Sequence, residues 1–241
     1  MSIISELIRL RENGIFHDLS NNEFEITGAI EIEEIRFFES LLDTDCNIVL
    51  DIGVGKGVST VLFSALAGIT KVIAVDPYQS TEHNNSSLKL AEVLKLSSDI
   101  LLIEKKSIDA NQEITELGLK TDFAFVDGYH SFDCTLIDFI VANEHLKVGG
   151  LIAFHDCFYH QKQAVIGFVL KNRDYEFVKK YPVCKHSLLK RLARFVIHVV
   201  RYKTNPVRHF RLLNPFKTDS SLVVLRKISN DEPKYWEFNG L

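Results

Sequence analysis

Several features that would place a protein in a special class are missing from this chain. No apolar run reaches the roughly 18 residues that a membrane-spanning helix needs. Residues 1–6 contain no basic segment followed by an apolar core, so we expect no signal peptide. The four cysteines are scattered without a C-x-x-C pair, which fits reduced thiols in a cytoplasmic protein. No linker rich in Pro, Gly or Ser divides the sequence, and we therefore expect residues 1–241 to form one cytoplasmic domain.

Acidic residues are missing from one segment. Residues 185–217 contain nine Lys or Arg and no Asp or Glu, whereas the rest of the chain holds 19 basic and 32 acidic residues. We expect a basic helical insertion here, in which residues 188–201 place Leu and Val on one helical face with basic side chains opposite or beside it. Three interpretations stay open: a helix packed on the core or on a second copy in a homo-oligomer, a cap that binds an anionic acceptor, and a peripheral helix on an anionic membrane. The insertion has few aromatic side chains for stacking on bases, so we expect no specific nucleic acid partner.

The rest of the sequence has the pattern of an α/β protein. Its composition, 46% hydrophobic and 25% charged over 241 residues, suits one large domain with a buried sheet. Residues 1–45 have the apolar spacing of helices, separated by the polar stretch 17–23, and predict an N-terminal helical cap. Strands and helices then alternate, which predicts a parallel sheet covered on both faces. The predicted strands are 47–51, 71–76, 100–104, 122–127, 150–155, 175–181 and 221–225, and the predicted helices are 58–67, 87–96, 109–117, 132–146 and 164–171.

A strand followed by a glycine turn is the most informative local signal. The apolar strand that contains Asp51 is followed by Gly53, Gly55 and Gly57 at alternating positions. Glycines have no Cβ, so the main chain can approach a ligand closely. The dinucleotide fingerprint needs its third glycine at the sixth position, which here is Val58. The observed spacing resembles motif I of the class I S-adenosylmethionine-dependent methyltransferases.

This resemblance implies a fold and a donor site. Class I methyltransferases have a Rossmann-like, seven-stranded, mostly parallel sheet in the order 3-2-1-4-5-7-6, and ligands of such sheets lie beyond the carboxyl ends of the strands. Asp51 and the three glycines would contact the donor. Asp76, after the second strand, would accept hydrogen bonds from the ribose, and Ser107 and Ile108, after the third strand, would border the adenine. The alternatives are a turn or N-cap role for Asp76 and a helix-cap role for Ser107.

The fourth and fifth predicted strands both end in acid–base side chains. Asp127 and His130 follow the fourth strand, and His155 and Asp156 follow the fifth. Because neighbouring strands lie roughly 5 Å apart, we expect the two carboxylates to face one small volume with the imidazoles beside them. Such a group can bind a divalent metal or act as a general base. A single Asp or His at a strand end more often forms a turn or caps a helix.

The combination D-G-Y-H…K-V-G-G-L-I-A-F-H-D carries a more specific resemblance. It resembles the small-molecule O-methyltransferases related to macrocin O-methyltransferase and, more distantly, catechol O-methyltransferase, over about residues 30–175. Those relatives commonly bind Mg²⁺ through acidic residues after strands four and five, and Asp127 and Asp156 match these positions. This chain departs at Cys157, where relatives often have Asp or Asn, because a thiol is a poor ligand for a hard cation. His130 is the alternative means of removing the proton.

We therefore predict an S-adenosylmethionine-dependent O-methyltransferase that acts on a small-molecule or glycan hydroxyl. Its catalytic residues would be Asp127, His130 and Asp156. Asp127 would also border the donor, and Asp127 and Asp156 are the candidate Mg²⁺ ligands. Two alternatives belong to other classes: a non-catalytic module that keeps the donor pocket, and a nicotinamide-dependent oxidoreductase, which Val58 at the third glycine position disfavours.

Overall fold

The computed structural model describes residues 2–28, 30–42, 44–182, 220–230 and 238–239, together with Val196 and Val200. Within these residues, helices and strands alternate from residue 48 onward, as the sequence predicts. The helices are α1 (Ile3–Asn13), α2 (Ile32–Leu41), α3 (Val58–Ala65), α4 (Ser86–Val93), α5 (Ser107–Glu116), α6 (Phe132–His145) and α7 (His160–Asn172). The strands are β1 (Ile15–His17), β2 (Glu23–Glu25), β3 (Ile48–Ile52), β4 (Lys71–Val75), β5 (Asp99–Ile103), β6 (Thr121–Val126), β7 (Leu146–Phe154), β8 (Tyr175–Pro182) and β9 (Ser220–Lys227).

The main sheet has seven strands in the order β5-β4-β3-β6-β7-β9-β8. The five strands from β5 to β7 pair in parallel, and β9 is antiparallel to both of its neighbours. Counted along the chain from β3, this is the predicted order 3-2-1-4-5-7-6, so the Rossmann-like prediction is confirmed. The strand order reverses between β3 and β6, and the carboxyl ends of those strands form the edge where ligands of such sheets bind.

Both faces of the sheet are buried, because successive side chains of a strand point to opposite faces. Val49 of β3 belongs to the cluster beneath α1, α2, α3 and α4, whereas its neighbour Leu50 belongs to the cluster beneath α5, α6 and α7. The same alternation holds for Phe123 and Ala124 of β6. Continuous apolar strands are expected when a sheet is covered on both sides.

The N-terminal segment differs in part from the predicted helical cap. Its two helices, α1 and α2, are present, but a two-stranded hairpin of β1 and β2 lies between them. The stretch 17–23, predicted as a polar separation of two helices, is the turn of this hairpin with one strand residue on each side. The carboxylate of Asp18 accepts the backbone N–H groups of Ser20 and Asn22 and closes the turn. Strands of three residues are too short to give a pattern with a period of two, so the hairpin cannot be recognised in the sequence.

A group of aromatic rings fixes α2 on the sheet. Phe38 of α2 contacts the rings of Phe63, Phe123 and Phe125 edge to face, with centroids 5.3 to 5.9 Å apart. Such pairs stabilise packing beyond the area they bury. Because α2 is held here, its N-terminal residues lie beside the carboxyl ends of β6 and β7.

The predicted basic insertion, residues 185–217, lies outside the described residues except for Val196 and Val200, which are both exposed. The interpretations of residues 188–201 therefore stay predictions. Among the described residues, none of the helices has the length and apolar character that a membrane crossing needs.

Candidate functional site

The glycine turn joins β3 to α3 with all three glycines in the left-handed region, at φ +93°, +52° and +90°. A Cβ on Gly53 would lie 2.3 Å from the backbone oxygen of Asp127, and a Cβ on Gly57 would lie 2.3 Å from Cα of Ser87. A Cβ on Gly55 would meet no protein atom within 4 Å. Gly53 and Gly57 therefore allow close packing within the protein, whereas Gly55 faces open space.

Asp51 lies beneath this turn. It is fully buried and accepts hydrogen bonds from Ser59 Oγ (3.0 Å) and Thr60 Oγ1 (2.5 Å) of α3. Burial raises its pKa to about 7 in spite of these two donors. Its second oxygen, Oδ1, has no hydrogen-bond partner among the described residues. Asp51 thus holds α3 against β3 and does not line the cavity.

Asp76 and Gln79 shape the turn from the neighbouring strand. The carboxylate of Asp76 accepts the N–H groups of Gly55 and Tyr78, both at 2.8 Å. Gln79 is fully buried, donates to the carbonyl of Gly55 at 2.6 Å and accepts from Ser87 Oγ at 2.7 Å. Each carboxylate oxygen of Asp76 can accept a further hydrogen bond, so this side chain can bind ribose hydroxyls while it fixes the turn.

Ser107 and Ile108 lie at the start of α5, on the wall beside Asp76. Ile108 is 57% exposed and offers an apolar face to the cavity. Ser107 Oγ donates to Asp138 Oδ1 of α6 at 2.5 Å. Burial raises the pKa of Asp138 to about 6. A Cβ on Gly128 would lie 2.5 Å from Asp138 Oδ2, so only glycine leaves room for this carboxyl group.

Asp127 follows β6 and has a protein nitrogen beside each carboxylate oxygen. Lys162 Nζ of α7 lies 3.3 Å from Oδ1, and His155 Nδ1 lies 3.1 Å from Oδ2. Burial raises the pKa of this carboxyl group, but the charges of His155 and Lys162 outweigh burial and lower it to about 2. Asp127 is therefore ionised at neutral pH and is a weak base.

His155 lies between two carboxylates. Its Nε2 is 3.1 Å from Glu34 Oε2 of α2, and its Nδ1 faces Asp127. The Nε2 contact is a hydrogen bond, whereas Nδ1 lies 3.1 Å from Asp127 Oδ2 as an ion pair and has no hydrogen-bond partner among the described residues. Burial lowers the pKa of His155, but the charges of Asp127 and Glu34 more than compensate and hold it well above its usual value. The N-terminal cap thereby contributes a buried carboxylate to the centre of the site.

His130 and Asp156 form a second pair at the mouth of the site. His130 Nε2 lies 3.2 Å from Asp156 Oδ2, and the imidazole ring stacks on Tyr159 with centroids 5.3 Å apart. Burial and then the charge of Lys162 lower the pKa of His130, while burial raises that of Asp156. Asp156 has φ +53°, a left-handed conformation that non-glycine residues adopt at a cost and that is frequent at functional sites.

One cavity of about 1890 Å³ joins the glycine turn to these acid–base groups. Ligand pockets usually measure about 300–1,000 Å³, so the volume suffices for a nucleoside donor and an acceptor together. Asp51 and Gly57 do not line the cavity. The other predicted site residues do: Gly53, Gly55, Asp76, Ser107, Ile108, Asp127, His130 and Asp156.

The predicted Mg²⁺ site brings three donor atoms together, but their surroundings do not suit this ion. Asp127, His130 and Asp156 each offer one atom, and these atoms lie within 4.8 Å of one another. However, Mg²⁺ prefers an all-oxygen set, and one donor is an imidazole. Cys157 adds none, because its buried thiol donates to the carbonyl of Phe154. Both oxygens of Asp127 face protein cations, so these residues do not fit Mg²⁺.

Three buried polar residues of the site were not predicted: Glu34, Lys162 and Asp138. Each lies on a helix whose apolar spacing explains its secondary structure without reference to the charged side chain. A lysine or acid within an amphipathic helix is normally expected on its solvent face, so the sequence offered no signal for them. The sequence predicts His155 only beside the two carboxylates, and the structure places it at the centre of the site.

Comparison with known proteins agrees with this geometry. Residues 50–157, which run from β3 to just beyond β7, match a protein-family model described as a methyltransferase domain. This segment is therefore similar to methyltransferase domains. It contains the glycine turn and the ends of β4, β6 and β7. No curated protein matches the chain.

Solved structures share the fold over almost the whole chain. The O-methyltransferase from Bacillus cereus in complex with SAH is 12% identical, with a TM-score of 0.62 over 93% of this chain and 90% of that one. TomG, an O-methyltransferase from Streptomyces achromogenes in complex with SAM, is 11% identical, with a TM-score of 0.62 over 95% and 91%. An rRNA methylase from Streptococcus thermophilus is 18% identical, with a TM-score of 0.53 over 85% and 99%.

These findings confirm two predictions, the Rossmann-like fold and an enzyme of the methyltransferase class. They support S-adenosylmethionine as the cofactor. The neighbours are described as O-methyltransferases and as an rRNA methylase, so they do not give the type of acceptor.

Proposed function

We propose that this protein transfers the methyl group of S-adenosylmethionine to a hydroxyl oxygen of a small-molecule or glycan acceptor. One observation carries the proposal: the glycine turn and the His130–Asp156 pair line the same cavity. The donor site and a candidate base therefore share one cavity, which is the arrangement that a direct transfer needs.

The donor would lie over the carboxyl ends of β3 and β4. Gly55 leaves open space above the turn, and Asp76 can accept hydrogen bonds from the two ribose hydroxyls. Ile108 offers an apolar surface for the adenine, with Ser107 and Asp138 at its edge. In this pose the sulfonium group points along the sheet edge towards Asp127, whose negative charge complements it.

Asp127 and His130 are the two candidate bases, and their pKa values suit them to different roles. A general base works best when its pKa is near the operating pH. The pKa of Asp127, about 2, is too low, whereas that of His130 lies below its ordinary value and leaves the ring neutral near pH 7. Nε2 of His130 lies 3.2 Å from Asp156 Oδ2, and Nδ1 is buried without a hydrogen-bond partner among the described groups. We assign proton removal to His130, orientation of its ring to Asp156, and charge complementarity to Asp127.

The reaction then needs little covalent chemistry from the protein. His130 takes the proton of the acceptor hydroxyl at Nε2, the nitrogen beside Asp156, because Nδ1 is buried. The oxygen forms a bond to the methyl carbon as the carbon–sulfur bond breaks, and S-adenosylhomocysteine leaves. Because the methyl group is already activated, alignment of the oxygen with that bond supplies most of the catalysis.

The acceptor side of the cavity supports a ring-shaped, polar acceptor. Tyr129, Phe158, Tyr159 and Tyr181 line it, and Tyr129 is 79% exposed. Aromatic side chains present apolar faces with a polar tip at the hydroxyl, which suits the faces and edges of sugars or phenols. Glu31 and Glu33 on the same side disfavour an anion there, so recognition of an anionic acceptor would fall to residues 185–217.

The test is methyl transfer from labelled S-adenosylmethionine to a panel of phenols, glycosides, nucleotide sugars and ribosomal RNA. We expect transfer to a hydroxyl of a small or glycan acceptor. His130→Gln should lose this transfer and keep S-adenosylhomocysteine affinity within a factor of about three, because the residue lies outside the donor region. Calorimetry with S-adenosylhomocysteine and with NAD provides the control. An absence of S-adenosylhomocysteine binding would contradict the donor, and methylation of RNA alone would contradict the acceptor class.

A further inference from the structure

Lys162 is a lysine with no solvent exposure, on the first turn of α7. Lysine is almost never fully buried unless its ammonium group is paired. Its Nζ lies 3.3 Å from Asp127 Oδ1 and approaches that carboxylate from beneath the cavity, which Lys162 itself does not line. Stability of the fold does not explain this pair, since a buried ion pair stabilises a fold little in comparison with apolar residues of similar volume.

The charges around Lys162 suggest what it does. Asp127, Asp156 and Glu34 bring three carboxylates to one end of the sheet, two of them in contact with His155 at 3.1 Å. Carboxylates gathered this closely need positive charge nearby to stay ionised together. Resembling enzymes obtain that charge from Mg²⁺. Here Lys162 and His155 supply that charge and face the two oxygens of Asp127 at 3.3 and 3.1 Å.

We propose that the ammonium group of Lys162 is the resident cation of this site, and that it replaces the divalent metal of the resembling enzymes. This inference rests on the proposed methyl transfer, in which Lys162 acts as a positioning residue. It keeps Asp127 ionised and fixed below the donor methyl group and touches neither substrate. A divalent ion bound to Asp127 would have to coordinate oxygens that already face protein cations, and both cations would repel it.

The consequence is an enzyme that needs no divalent metal. The first experiment titrates the wild-type protein, saturated with S-adenosylhomocysteine, with Mn²⁺ and Mg²⁺ by calorimetry and follows Mn²⁺ by electron paramagnetic resonance. We expect no binding up to about 1 mM, the weak end of protein sites for hard cations. Methyl transfer should be unchanged after treatment with a chelator. Saturable binding of one Mn²⁺ below about 0.1 mM would overturn the proposal, and so would loss of activity on chelation that added metal restores.

The second experiment removes the cation. Lys162→Met keeps the length of the side chain and deletes its charge. We expect methyl transfer to fall at least tenfold, mainly in kcat, and Mn²⁺ affinity to rise at least tenfold, because one oxygen of Asp127 becomes available. Lys162→Arg keeps the charge and should retain more activity than the Met variant without gaining metal affinity. Lys171→Met, an exposed position on the same helix, is the matched control and should change neither property.

The readouts separate this inference from the proposed function. Metal titration of the wild-type protein needs no acceptor, so it decides the inference even if no methyl transfer is found. Binding of S-adenosylhomocysteine shows that a variant is folded. If Lys162→Met does not fold, the wild-type titration and Lys162→Arg decide alone. A folded Lys162→Met variant with wild-type kcat and unchanged Mn²⁺ affinity would contradict the proposal.

Discussion

The two ends of the cavity are built by different means. At the donor end, backbone shape dominates: three glycines at positive φ, the N–H groups that contact Asp76, and the open space at Gly55. At the acceptor end, side chains dominate: Asp127, Lys162, His155 and Glu34 reach one volume from β6, α7, β7 and α2. A ligand with a constant structure can be bound by backbone geometry, whereas proton transfer needs titratable groups.

This difference has consequences for pH and for mutation. The donor end should fail when atoms are added. The acceptor end should tolerate small changes in volume and fail when a charge is removed, since each charge supports another.

His130→Gln should reduce kcat by about 10²–10⁴, the usual contribution of a general base. In the wild-type protein, kcat/KM should fall as pH falls through the pKa of His130, which lies below the ordinary value because of burial and the charge of Lys162. The acidic limb should be absent in the variant. Rate profiles from pH 5 to 9 measure this. An acidic limb that is unchanged in the variant would assign the proton transfer to another group.

Gly53→Ala should weaken S-adenosylhomocysteine binding at least about 100-fold and lower the free energy of unfolding by about 2–4 kcal/mol. The added Cβ would lie 2.3 Å from a backbone oxygen and the residue would stay at φ +93°, so overpacking and left-handed strain add together.

Gly55→Ala is the matched variant, because its Cβ meets no protein atom within 4 Å. Its free energy of unfolding should fall by only about 1 kcal/mol. The free energy of S-adenosylhomocysteine binding should weaken by more than that. Gly118→Ala, also left-handed with open space around it, controls for the backbone cost alone. Equal behaviour of the three variants in chemical denaturation and calorimetry would refute the proposed role of the turn.

Glu34→Gln should lower the free energy of unfolding by about 1–3 kcal/mol, the cost of removing a buried hydrogen-bond partner of a charged group. The pKa of Glu34 is lowered in the folded state, so its contribution is lost as pH falls below the ordinary Glu value of about 4.3. The pKa of His155 is raised, so its contribution is complete below about 6.5 and is lost as pH rises through the folded value. The difference between wild type and variant should therefore be largest near pH 5–6 in urea denaturation and smaller at pH 9. A difference that grows with pH would contradict the charged His155.

Asp138→Asn should have the smallest effect on binding, less than about tenfold in S-adenosylhomocysteine affinity, because the amide can still accept from Ser107. The glycine variants and Glu34→Gln should be less stable than the wild-type protein, whereas Asp138→Asn should be more stable. Burial raises the pKa of Asp138 from 3.8 to about 6, so ionisation between pH 4 and 6 destabilises the wild-type protein. The variant should gain about 1–3 kcal/mol relative to wild type between pH 4 and pH 8. No change in that difference across the range would argue against a buried acid.

Much of the donor end could be predicted from the sequence, because it depends on local signals. Asp51, the glycines and Asp76 each lie at the end of a recognisable strand, and the sheet order followed from a resemblance that the pairing confirms. Even here the sequence could not separate ligand contact from support. Asp51 and Gly57 hold α3 in place and do not line the cavity, a distinction that depends on side-chain direction.

Less of the acceptor end could be predicted. Asp127 and Asp156 were found because parallel strands end at one edge, but their partners come from distant segments. Glu34 lies 121 residues from His155, and Lys162 lies 35 residues from Asp127. Contacts at such separations leave no periodic pattern in one sequence. The hairpin of β1 and β2 was missed for the opposite reason, since its strands are too short to show a pattern.

A crystal structure of the protein with S-adenosylhomocysteine would test the central claim most directly, that one cavity places the donor beside the acid–base groups. We expect the ribose hydroxyls within hydrogen-bond distance of the Asp76 carboxylate, the adenine against Ile108, and the sulfur atom on the side of Asp127 and His130. A homocysteine sulfur directed away from Asp127, or a ligand bound outside the glycine turn, would contradict the account.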